Sequence, residues 1–153
     1  MKRYALVLCT FVLPMFGWAK DAGAQSTALT VSGSPAPFTV TTAVAGSQPI
    51  PLTDAITTYF VKAKNAAGPQ KITAHLDSPM PAGTTLTITM SAPSGATSLG
   101  PVTLDMTDRD IVINIARDNG STNGITYVFT ATVSAGVLAP QTRTVTLTES
   151  SYP

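Results

Sequence analysis

The chain has 153 residues, only 11% of them charged, with 9 basic against 8 acidic side chains, one histidine and one cysteine. Such a near-neutral, charge-poor chain offers no basic face for nucleic acid and no polybasic patch for a membrane surface. Its length suits one domain with a single sizeable core.

Residues 1–24 read as a cleavable secretory signal peptide. Lys2 and Arg3 precede an apolar run from Tyr4 to Trp18, broken only by Thr10, Pro14 and Gly17. Ala22-Gly23-Ala24 then places small residues at the two positions a signal peptidase reads. The run is shorter than the ~20 residues of a membrane-spanning helix, so a permanent anchor is the weaker reading. Cys9 follows Leu8, where a lipoprotein signal needs a small residue, which argues against lipidation. Cleavage after Ala24 leaves 129 of the 153 residues and no cysteine. Lys2, Arg3, Lys20 and Asp21 leave with the signal, so the balance becomes 6 basic to 7 acidic. A disulfide framework is then excluded, and stability has to come from burial. The expected location is secreted, periplasmic or at the cell surface.

Residues 25–56 are rich in Ser, Pro, Ala and Gly, with weak strand patterns at 28–33 and 38–44. From residue 57 onward, period-two alternation dominates. Strands are expected at 57–64, 72–77, 84–91, 102–107, 111–116, 125–134 and 142–148. Leu86, Ile88 and Met90 share one face, opposite Thr85, Thr87 and Thr89. Ile125, Tyr127 and Phe129 oppose Thr126 and Thr130, and Val145 and Leu147 oppose Thr144, Thr146 and Thr148. Ile111, Ile113 and Ile115 alternate with Val112, Asn114 and Ala116 in the same way. A helix would scatter each set, whereas a pleated strand puts it on one face. Pro and Gly pairs such as Pro79-Met80-Pro81, Gly100-Pro101 and Asn123-Gly124 punctuate the pattern. The expected fold is all-β: an antiparallel two-sheet, immunoglobulin-like sandwich of eight or nine short strands, with a closed barrel as the alternative. Residues 25–153 count as one domain, with 57–153 as its core and 25–56 as edge strands or a loosely packed arm.

The inventory of reactive side chains is thin. His75 is the only histidine, and no G-x-S-x-G nucleophile elbow accompanies it. Glu149 is the only glutamate, one histidine without mature cysteine is too little for zinc, and no phosphate-binding glycine loop occurs. No enzyme and no cofactor are expected. Asp105, Asp108, Asp110 and Asp118 are weak calcium candidates, since calcium prefers carboxylates on loops. Arg109 stands inside that group, and Asp favours turns for its own hydrogen-bonding reasons. Asn119-Gly120-Ser121 fits a glycosylation sequon but is read as a turn.

A Thr-rich, cysteine-free exported sandwich is similar in architecture to bacterial surface and fibre-forming domains. The expected role is therefore a structural or interaction protein, such as a fimbria-like subunit of a surface fibre or layer. Its expected partner is a second copy of itself, engaged by strand exchange through the arm near residues 26–44. The alternative is a monomeric secreted binding module for a glycan, small ligand or partner protein.

Overall fold

The computed structural model describes residues 26–40, 47–64 and 66–153. Residues 1–24, expected to be a signal peptide, lie outside the described residues. Nine strands follow in chain order: β1 Ser26–Ser32, β2 Leu52–Lys64, β3 Gln70–Leu76, β4 Thr84–Met90, β5 Thr97–Ser98, β6 Val102–Thr103, β7 Arg109–Ile115, β8 Ser121–Ala131 and β9 Val145–Ser151. They form two sheets of order β1-β2-β8-β4-β6 and β5-β7-β3-β9, with every pairing antiparallel. The architecture is the two-sheet sandwich, not the closed barrel.

Alternation translates directly into register at β4 and β8. Leu86, Ile88 and Met90 stand opposite Phe129, Tyr127 and Ile125 on the core face. Thr85, Thr87 and Thr89 stand opposite Thr130, Val128 and Thr126 on the wet face. Tyr59, Val61 and Ala63 of β2 and Ile72, Ala74 and Leu76 of β3 complete the interior, all at most 1% exposed. The Tyr59 hydroxyl donates to the Ser91 carbonyl. Burial first, and the Asp118 carboxylate second, push its pKa up to about 12, so it stays protonated and donating.

Three expectations need correction. The strand expected at 38–44 is absent over its described part, and residues 41–46 lie outside the described residues. Pro35 and Pro37 lack ladder donors, and residues 34–40 form no strand. There Phe38 stacks on Phe129 with ring centroids 5.9 Å apart, and Ala36 donates its N–H to Asp54 at 3.2 Å. The strand expected at 102–107 is only two residues long, because the Asp105 carboxylate caps the Thr107 N–H at 2.8 Å and turns the chain. In β7 the even alternation fails: Ile111 and Val112 are both fully buried, and Asn114 has φ +56°. Register shifts against β3 on either side of Ile72 explain this, since an extra residue flips the pleat phase. A further irregularity between Asp54 and Thr57 extrudes Ile56, and Asp54 accepts the Ile56 N–H at 3.2 Å.

Candidate functional site

The four aspartates named as calcium candidates do not converge. Asp105 is paired with Arg109 four residues on. Asp108 meets His75 Nδ1 at 2.7 Å, and Asp110 meets Lys71 Nζ at 2.9 Å. Asp118 accepts the Gly120 N–H and the Ser121 hydroxyl, both at 2.7 Å. That last turn also seats the Phe60 ring, which lies 2.7 Å from where a Cβ on Gly120 would stand. Among the described residues no group of three or more carboxylate, imidazole or thiol ligands is placed to hold a metal ion. Arg109 holds the Asp105 carboxyl below its ordinary pKa, and the Thr144 N–H does the same for Asp77. Melting curves in excess calcium and in chelator are therefore expected to superimpose. Saturation at a hundred times a dissociation constant would add about 2.7 kcal/mol. A shift of that size, abolished by Asp110→Ala, would contradict the ion-pair reading.

His75 has Asp108 as its side-chain partner, and no hydroxyl among the described residues hydrogen-bonds to it. One open concavity of about 430 Å³ is lined by Ala63, Ala66, Gly68, Pro69, Ala116 and Arg117, without the convergent polar groups a small-molecule site uses.

What distinguishes the molecule is the unequal protection of its sheet edges. On one side the edges are β5 and β6, each two residues long, with Gly100-Pro101 immediately before β6. Short strands and prolines are how natural sheets blunt an edge. On the other side the edges are β1 and β9, each seven residues long and free of proline. These two edges touch across the sandwich. Their inward side chains are incompletely covered. Val31, on the same face as the fully buried Tyr59, is 44% exposed, and Leu29, Val145 and Leu147 are only partly buried.

The free side of β9 can be read residue by residue. Thr144 accepts the Asp77 N–H at 3.1 Å, and Tyr152 donates its N–H to Pro69 at 2.8 Å. The register between these points is unbroken, so Thr144, Thr146, Thr148, Ser150 and Tyr152 aim their backbone groups at β3. Val145, Leu147, Glu149 and Ser151 aim theirs away from it, along an edge that no described strand occupies.

Glu149 sits on this edge with its side chain turned inward, opposite the fully buried Ile72. Its Oε1 is shielded from solvent and has no hydrogen-bond partner, and desolvation raises its pKa above the ordinary carboxylate value. Sequence reasoning placed Glu149 merely beyond the last strand, which it ended at residue 148. The signal was present in the parity: Val145, Leu147 and Glu149 are each two apart, so extending the strand puts all three on one face.

No family model matches this chain, and neither the curated proteins nor the solved structures give a match.

Proposed function

We propose that the protein is an exported, non-enzymatic structural or interaction protein that self-associates by strand exchange, as a subunit of a surface fibre or layer. One observation carries the reading: the sandwich leaves two long proline-free edges, β1 and β9, on one side, and protects the other with two-residue strands. A flat edge with unpaired backbone groups is a template for another strand. β1 suits exchange because it is an edge strand with a partly covered inward face, joined to β2 through residues 33–51. That connection is far longer than the ~2–5 residues of a hairpin loop. An edge held by few buried side chains opens at low free energy. The export signal at 1–24 and the absence of mature cysteine fit a subunit assembled outside the cytoplasm.

The test uses the chain expressed with its own first residues in a bacterium. The product is expected outside the cytoplasm with Gln25 at its N-terminus by intact mass. Sedimentation velocity is expected to show species larger than a monomer as concentration rises. Deleting residues 25–44 should leave a folded but less stable domain that binds a peptide spanning 25–44. A full-length protein that stays monomeric at high concentration would overturn self-association and favour a monomeric binding module.

A further inference from the structure

We propose that the free edge of β9 is the acceptor for β1 of a second copy, running antiparallel with Leu29 opposite Leu147. The inference rests on the self-association reading above and identifies where the exchanged strand docks. β9 presents outward-directed backbone groups at Val145, Leu147, Glu149 and Ser151. The incoming strand must therefore place its own hydrogen-bonding residues against these.

Side-chain chemistry then selects the strand and its register. Along the inward face, β9 reads apolar, apolar, acid: Val145, Leu147, Glu149. Antiparallel to it, the inward face of β1 reads Val31, Leu29, Thr27, which is apolar, apolar, hydroxyl; these three stand opposite Tyr59, Val61 and Ala63 in the monomer. The register puts the exposed Thr27 hydroxyl against Glu149, whose Oε1 is buried without a donor. On the outward face Thr30 falls opposite Thr146 and Ala28 opposite Thr148, with no like charges opposed. A parallel docking with Leu29 opposite Leu147 sets Val31 against the carboxyl, and a two-residue slip of the antiparallel one sets either Leu29 against the carboxyl or Thr27 against Leu147. Pairing of β9 with a second β9 brings the carboxyl against Val145, Leu147, Ser151 or another Glu149. Only Ser151 supplies a donor: in the antiparallel register that does so Leu147 falls opposite Pro153 with no apolar pair formed, and in the parallel one Leu147 falls against the second Glu149. The β1 register alone among these joins two apolar pairs to a donor for Glu149.

Donor and acceptor are different elements, so the contact is heterologous and propagates into an open chain unless two copies exchange reciprocally. Both outcomes use the same β1–β9 junction.

Thiol cross-linking reads the junction directly. Chains carrying Thr30→Cys and Thr146→Cys are prepared separately, each with Cys9→Ser so that no other thiol exists. In the monomer Thr30 pairs with Phe60 in one sheet and Thr146 with His75 in the other, and both point outward. Neither a single chain nor exchange of β1 back onto β2 brings them together. Mixing and mild oxidation should accumulate the T30C–T146C disulfide well above T30C–T148C. Thr27→Val should weaken assembly at least about tenfold, the effect of losing a hydrogen bond to a charged group. Glu149→Leu in the same chain should restore it by making the pair apolar. Absence of all assembly would overturn the self-association reading itself. Assembly that traps T30C with Phe60→Cys of another copy, and not with T146C, would place exchange on β2 and overturn the β9 site alone.

Discussion

Ile88→Ala is expected to destabilise the domain by about 3–4 kcal/mol, within the range for truncating a fully buried isoleucine. Ile88 has no exposed surface, stands opposite Tyr127 on β8 and Val102 on β6, and belongs to the interior of the larger sheet. Removing its side-chain carbons loses their transfer free energy and opens a cavity between elements that cannot collapse without breaking two ladders. The matched comparison is Ile56→Ala. Ile56 is extruded where the β2 register shifts and is 67% exposed, so its truncation should lie within about 0.5 kcal/mol of neutral. Urea unfolding of the three proteins separates the cases, with the midpoint moving and the slope held. Equal losses for both variants would contradict the assignment of faces in β2 and β4.

That contrast also shows which parts of the fold the sequence makes legible. β4 and β8 were readable because each keeps one pleat phase throughout, so Leu86, Ile88, Met90 and Ile125, Tyr127 land where alternation sends them. β7 was misread in detail because its bulges against β3 depend on the partner strand, and no local pattern announces that Ile111 and Val112 both turn inward. Phe38 looked like a strand residue, but two prolines and a distant ring, Phe129, decide its place. The aspartates show the same limit. Asp105, Asp108 and Asp110 are close in sequence, yet each is claimed by a different side chain, Arg109, His75 and Lys71. Two of those partners, His75 and Lys71, come from β3, remote in sequence. The open side of the sandwich is not legible locally, because which strand ends each sheet depends on pairings between segments remote in sequence.

Glu149→Leu is expected to stabilise the monomer by about 2 kcal/mol at neutral pH, through loss of a buried unpaired acceptor and gain of apolar contact. The carboxyl faces inward opposite Ile72, two residues along the face from Leu147, with Oε1 unpartnered. An inward-turned charge on an edge strand destabilises its own sheet while discouraging indiscriminate pairing at that edge. The pH dependence identifies the cause. Desolvation raises the folded-state pKa of Glu149 above the ordinary value of 4.5, so between the two the folded state holds more proton than the unfolded. The stabilisation this gives is fully present below 4.5 and is lost as pH rises through the folded-state value. Asp77 and Asp105, with lowered values, act in the opposite sense and lose their contribution as pH falls. They are common to both proteins and cancel in the difference. The advantage of Glu149→Leu over the parent should therefore be largest at neutral pH and shrink to the apolar packing gain below about 4.5. Parallel urea titrations across this range measure it. A variant that is less stable than the parent at pH 7, or whose difference does not change with pH, would show that the Glu149 carboxylate has a partner in the folded chain.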